Sequence, residues 1–449
     1  MEKQERSGML GTLSMGRLVP KVSIPIMISM LVQAMYNVVD GIFVARYSAD
    51  AFTAVSLVFP VQMLLIAVGT GLGVGINSLV SRRLGEGSAQ GARDAARNGI
   101  FLELCGALLF CLFGIFGARA FMRAFTEDAH LQDLGGQYLT IITTCCFGLL
   151  LSMVFERLMQ STGNTVLSMT TQLTGALTNI ILDPIMIFVL DMGVAGAAWA
   201  TVIGQIASMC LGFFLNQTRN RELRVSMKGF KPDGRTVKGI LQVGFPSIIM
   251  QAISSVMSVS MNMILLGFGN IAVNVLGVYL KLQSFVFMPV FGLGNGLVAI
   301  VGYNFGARKR ERVYAAIKVA LRIALGIMGV GMLLFLTIPQ VLLSLFEAGD
   351  ASELTAMGKT AMRIICCHFP LAAVGITLTV VFQAVGKGVY SLIMSLCRQL
   401  LVLVPAAYLL SRLGGVSAVW WAYPIAECVS LCICLLLFRK VDREMLKKL

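Results

Sequence analysis

Apolar residues run in continuous stretches of about 20 along this chain, with short polar segments between them. Each stretch is long enough to cross a hydrocarbon core of roughly 30 Å as a helix. The stretches do not alternate polar with apolar, so a closed β-barrel is excluded and helices remain. Twelve spans are expected, over residues 18–41, 52–79, 95–118, 134–160, 165–190, 194–216, 239–267, 271–300, 312–338, 358–384, 388–411 and 415–438. The fold class is an all-α integral membrane protein. Among its 449 residues 57% are hydrophobic and 13% charged, which agrees with that class.

The two halves repeat. A shift of 221 carries Pro25 onto Pro246, and Gly71, Gly73, Gly75 and Gly85 onto Gly292, Gly294, Gly296 and Gly306. Near the end of each half, MGVAGAAWA (192–200) matches GGVSAVWWA (414–422) at a shift of 222. Six spans per copy is an even number, so the copies share one orientation, as in parallel-repeat transporters. The expected division is an N-lobe over 1–217, a basic linker over 218–238 and a C-lobe over 239–449. Two like-oriented lobes around a cleft suit an alternating-access transporter better than a channel.

The net charge of +14 raises the question of nucleic acid, but the distribution answers it. Of 36 basic residues, 27 fall at the two ends of the chain, in the loops after even-numbered spans or in the span ends that border them. Six lie in or next to the opposite loops: Arg46, Arg119, Arg123, Lys359, Arg363 and Arg412. That bias is the positive-inside pattern of a multi-pass protein of the cell (inner) membrane with both termini cytoplasmic. No nucleic acid is implied. The first twenty residues carry no cleavable signal pattern, so the first span is expected to be retained. All eleven cysteines fall inside apolar runs, as small packing residues, and the two histidines join no metal-spaced cluster.

Polar residues inside the spans carry the chemistry. A charged Asp near a helix centre costs roughly 2.5 to 3.5 kcal/mol on insertion scales, so Asp40 in YNVVDGIFVAR calls for a role. Gln33, Tyr36, Asn37 and Asp40 share one helical face; Gln172, Asn179 and Asp183 do the same in the fifth span; Thr201, Gln205 and Ser208 line the sixth. The repeat is an internal control, because Asp40 maps onto Met261 and Asp183 into the neutral stretch LVLVPAAYLL around Pro405 and Ala406. Helix packing alone has no reason to place both acids in one copy, whereas an ion site in the first lobe does. A desolvated carboxylate holds its proton more tightly, and a second one nearby strengthens the effect. Such a pair exchanges a proton near neutral pH, or holds Na⁺ when Asn179, Thr201 and carbonyls near Pro184 complete the shell.

The remaining charges have structural readings. Glu103 is expected to pair with Arg97, Glu156 and Arg157 to form an interfacial pair, and Glu427 to lack polar neighbours. Lys281 snorkels or tunes the cleft, and His368 packs with a hydrogen bond. GTGLGVG (69–75) lies within a span and has no Lys-Ser/Thr after it, so it marks close helix approach, not a phosphate cradle.

The segments IPIMISMLVQAMYNVVDGIFVAR, SRRLGEG, FERLMQSTGNT, LDPIMIF, GVAGAAWAT and GYNFGA resemble the MATE (multidrug and toxin extrusion) family over essentially the whole chain. Acids in the first lobe and a neutral second lobe are similar to its DinF-like and MepA-like branch. The resemblance implies efflux of amphipathic, often cationic, compounds in exchange for H⁺ or Na⁺, with no enzymatic step and no organic cofactor. It implies a cation site of Asp40, Asn179, Asp183 and Thr201, with Asp40 and Asp183 as the metal ligands if Na⁺ is the coupling ion. Pro25 matches a first-span proline at which some members bend. Gln33, Tyr36, Asn37, Met63, Gln251 and Met257 are expected to line the substrate cleft. The expected partners are small organic cations and the bilayer, and one lobe pair suffices, so a monomer is expected.

A flippase of lipid-linked oligosaccharides from the wider superfamily is the alternative, but its anionic cargo calls for a basic cleft. A membrane enzyme transferring prenyl or acyl groups needs a metal-binding acidic motif or a catalytic histidine, and the sequence offers neither.

Overall fold

A computed structural model describes residues 5–344 and 352–449, without the side chains of residues 5–7, 37, 38, 41, 45, 352 and 353. Every element among them is helical. The first half contains α1 (Glu5–Thr12), α2 (Met15–Tyr47), α3 (Ala49–Gly85), α4 (Ala89–Phe116), α5 (Ala118–Phe125), α6 (Ala129–Thr144), α7 (Phe147–Ser161), α8 (Thr165–Pro184) and α9 (Gly193–Thr218). The second contains α10 (Gly234–Leu266), α11 (Asn270–Gly306), α12 (Arg310–Thr337), α13 (Pro339–Ser344), α14 (Ser352–Ile365), α15 (Phe369–Ala384), α16 (Gly388–Leu396), α17 (Val404–Val419) and α18 (Ala422–Glu444).

Eleven stretches are long and apolar enough to span a membrane, and the bent pair α6–α7, which turns by 43°, makes the twelfth. The bend falls at Cys145 and Cys146, and the shift of 221 carries these onto Cys366 and Cys367, where a 3₁₀ turn joins α14 to α15. Each half is a six-span lobe. The linker is pinned to the first lobe: Leu223 is fully buried, and Asn216 donates to its carbonyl at 3.1 Å.

The first helix of each lobe is shared between the two cores. Leu18, Val19 and Val22 of α2 pack in the core of the second lobe with Val298 and Val301, whereas Val44 packs in the first with Val58 and Met122. The counterpart α10 mirrors this, with Ile240 in a first-lobe cluster beside Ile76 and Leu158, and Met261 and Leu265 in the second-lobe core. The lobes therefore interlock at the end of the bundle that carries the termini.

The repeated glycines make this interlock possible. A Cβ on Gly71 would lie 2.5 Å from Ile248, and one on Gly292 would lie 2.7 Å from Met27, its partner under the repeat. A Cβ on Gly85 would lie 1.9 Å from the Tyr303 carbonyl, and one on Gly306 would lie 2.2 Å from the Arg82 carbonyl. Only hydrogen fits where backbones approach this closely. The reading of GTGLGVG as a helix-contact motif therefore holds.

Three expectations about buried charges are corrected. Arg97 pairs with Asp94 at 3.8 Å, while Glu103 is buried beside the charge of Arg157. Glu156 and Arg157 are both buried and bond elsewhere, Glu156 accepting from Gln172 at 2.5 Å and Arg157 donating to Gln160 at 2.9 Å. Glu427 does have a polar neighbour, Arg398, at 3.6 Å. Burying a carboxylate without a partner is costly, and for Glu427 the fold supplies one in Arg398. His368 is buried, its Nδ1 2.8 Å from the Ile365 carbonyl, as expected.

Candidate functional site

Three elements of the first lobe build the site. The C-terminal half of α2 supplies Tyr36 and Asp40, α8 supplies Asn179 and Asp183 one turn apart, and α9 supplies Thr201. Pro184 follows Asp183, and the chain continues as a π-helical turn over Ile185–Val189. A proline withholds an N–H from the ladder and π-turns gather at functional positions, so this backbone departs from regular helix beside the acid.

Asn179 is the centre of the arrangement. Its Nδ2 donates to Asp183 Oδ1 at 3.3 Å and to Thr201 Oγ1 at 3.3 Å. Asp183 is fully buried, and Asn179 and Thr201 are 2% and 3% exposed. Asp40 reaches across from α2 to within side-chain hydrogen-bond distance of Asp183. Two carboxylates keep such a contact only when a proton or another cation lies between them. Beyond that contact, Asp40 Oδ1, Asn179 Oδ1 and Asp183 Oδ2 are buried and accept no hydrogen bond among the described residues. The site thus presents oxygens in excess of donors, which is the chemistry of a cation receptor.

Tyr36 hydrogen-bonds Thr201 and lies in the field of both acids, so it belongs with the acid pair more than with a cleft wall. Tyr138 of α6 escaped the sequence reading. It is 2% exposed, lies in the same field and hydrogen-bonds Gln62 of α3. A tyrosine in the fourth apolar span, two residues after a glycine pair, was the signal that could have found it. Gln172, on the same stripe as Asn179, goes to Glu156 instead and ties α8 to α7.

The expected cleft residues separate. Gln33 is exposed and Met63 half-buried, while the side chain of Asn37 lies outside the described residues. Met257 packs partly against the core of the second lobe. Gln251 is tied to Thr70 across the lobes at 2.5 Å, so its amide does not face a free wall. Pro25 lies inside α2, which runs unbroken from Met15 to Tyr47, with Ser29 donating to the Pro25 carbonyl at 2.9 Å. No break marks the expected hinge in this conformation.

The MatE family model matches residues 25–185 and again 246–409. The chain belongs to the MatE family. The two matches begin at Pro25 and Pro246, the residues that the repeat superimposes. Multidrug export protein MepA of Staphylococcus saprophyticus subsp. saprophyticus is 26% identical over 408 residues, covering 91% of this chain and 90% of that protein. Its namesake in Staphylococcus aureus (strain MRSA252) is 28% identical over 412 residues, covering 91% and 90%. A multidrug resistance MATE family transporter of the MOP superfamily, solved in an outward-facing conformation, superimposes with a TM-score of 0.93 at 27% identity, covering 99% of each chain. As a MatE protein, this chain shares a fold with transporters and combines it with a buried Asp183 and a half-buried Asp40 in its first lobe.

Proposed function

We propose that this protein is a secondary active antiporter that exports amphipathic organic cations across the cell membrane in exchange for H⁺ or Na⁺. The observation that carries the reading is the meeting of Asp40 and Asp183, with Asn179 and Thr201 around them and no basic side chain in the cluster. Relatives named for multidrug export support the class of cargo.

The positive-inside bias supports a cytoplasmic place for the interlocked end, and in that orientation the lobes part on the outer side. In the cycle we infer, substrate binds near the ionised acids while the cleft faces the cytoplasm. After the switch outward, a cation from outside neutralises Asp40 and Asp183, and the substrate leaves. The membrane potential favours cation entry by about 2.3 kcal/mol per charge per 100 mV.

The test is transport in proteoliposomes, with a fluorescent cationic dye and either a pH or a Na⁺ gradient imposed, for wild type and Asp40→Asn. Dye movement under one gradient that is lost in the variant supports antiport and names the coupling ion. Movement under neither gradient, with folded protein and several dyes, sinks the reading in favour of a lipid-linked cargo.

A further inference from the structure

Two of the six basic residues on the side away from the termini, Arg119 and Arg123, stand on one short helix. That helix, α5, connects the end of α4 to the start of α6 and buries Ala118 and Met122. At 100° per residue the arginines lie on one flank of this buried face, and Phe121 and Phe125 on the other. Phe121 stacks on Phe125 at 4.4 Å and meets Phe113 of α4 edge-on at 6.3 Å. A helix divided in this way, between two spans, lies at the boundary of hydrocarbon and headgroups.

The basic flank borders a cavity of about 440 Å³ walled by Arg119, Arg123, Gln132, Asp133, Gln137 and Thr140. The neutral polar groups of this wall are already engaged. Gln132 donates to the Thr126 carbonyl at 2.8 Å, Gln137 to Asp133 at 3.4 Å, and Thr140 to the Gly114 carbonyl at 3.4 Å. Among the described residues neither arginine forms an ion pair, even with Asp133 in the same wall. Two guanidinium groups one turn apart on one cavity therefore keep their donors for a ligand, and the planar fork of Arg matches phosphate oxygens. Beside them Phe116 is 78% exposed and Phe125 53% exposed, an apolar surface suited to acyl chains.

We propose that this cavity binds the phosphate headgroup of an anionic phospholipid. Arg119 and Arg123 share the phosphate oxygens, and the acyl chains lie along the exposed apolar ends of α4 and α5. The lipid offsets two positive charges that the topology otherwise disfavours at this end of the bundle.

The test uses the full chain in phosphatidylcholine nanodiscs, with and without phosphatidylglycerol, reading the thermal midpoint and the lipid retained after detergent exchange. Phosphatidylglycerol is expected to raise the wild-type midpoint. The R119Q/R123Q variant is expected to bind it about thirtyfold more weakly, the worth of two basic side chains at a membrane surface. R412Q, on the same side but with its guanidinium over Tyr408, is expected to behave as wild type. Should the double variant fail to fold, R119Q and R123Q are read singly, each with part of the loss. Equal responses in wild type and R119Q/R123Q overturn the proposal, as does an equal loss in R412Q, which makes the effect one of bulk charge. Soluble glycerol 3-phosphate giving the full rise by itself assigns the site to a free anion and overturns the lipid.

Discussion

Gln251 of α10 donates to Thr70 of α3 at 2.5 Å, joining the two lobes at the point where they part. Nearer the termini, Ser78 donates to the Gln383 carbonyl at 2.6 Å and Asn77 to the Asn295 carbonyl at 3.4 Å. The Gln251–Thr70 bond is thus the outermost of these lobe-to-lobe ties, where opening at the interlocked end must break it last. Gln251→Leu removes one hydrogen bond, worth about 1 kcal/mol net, and leaves Thr70 without it. The expected outcome is a shift of about fivefold in population toward the conformation open at the terminal end. Spin-label distances between the lobes measure it, and an unchanged distribution counts against a latch.

Asn179 holds two acceptors at once, so its loss affects more than one contact. Asn179→Ala is expected to weaken coupling-ion affinity by about tenfold, since each buried group left unpaired costs about 1–3 kcal/mol. Asn179→Asp, which adds a third acid, should raise the requirement for cation further. Isothermal titration with H⁺ or Na⁺ separates the two, and wild-type affinity in Asn179→Ala would remove Asn179 from the site.

The closest approach of the lobes predicts a trapped conformation. Gly85→Ala places a methyl group 1.9 Å from the Tyr303 carbonyl, and Gly306→Ala places one 2.2 Å from that of Arg82. Backbone cannot yield as a flexible side chain does, so the interlocked state is lost and the opposite one accumulates. Both variants should insert and fold yet transport nothing, with cysteine labels in the interlock becoming accessible from the terminal side. Normal transport in either variant would refute the close contact.

The Arg398–Glu427 pair is predicted to be a matter of stability. Breaking a buried pair by removing one partner costs about 3–5 kcal/mol, whereas replacing both with apolar groups is often neutral. Arg398→Met should lower the thermal midpoint sharply, and Arg398→Met/Glu427→Leu should restore most of it. If the single and double variants unfold together, the pair contributes nothing to stability.

The acids were legible because each breaks a hydropathy rule and neither recurs in the second copy. Their companions Asn179 and Thr201 were legible from helical spacing and from the resemblance. Tyr138 was not, since one aromatic residue in an apolar span looks like packing until it is seen in the field of Asp40 and Asp183. Gln251 and Met257 were assigned to a cleft wall from the resemblance; in this conformation Gln251 bonds Thr70 across the lobes and Met257 packs partly against the second-lobe core.

The sequence by itself determined that the chain crosses the membrane as twelve helical spans, that its halves repeat, and that its first half carries the acids. These follow from chain-local physics: hydrocarbon forces each backbone polar group to bond within its own segment, and an intramembrane charge is too costly to be incidental. Only the tertiary structure decided that Asp40 meets Asp183, that Glu156 belongs to Gln172 and Glu427 to Arg398, and that α2 and α10 each divide between two cores. The direction in which a helix presents its polar stripe is local, but the partner it finds there is set by how the helices rotate and pack, which a hydropathy pattern does not encode.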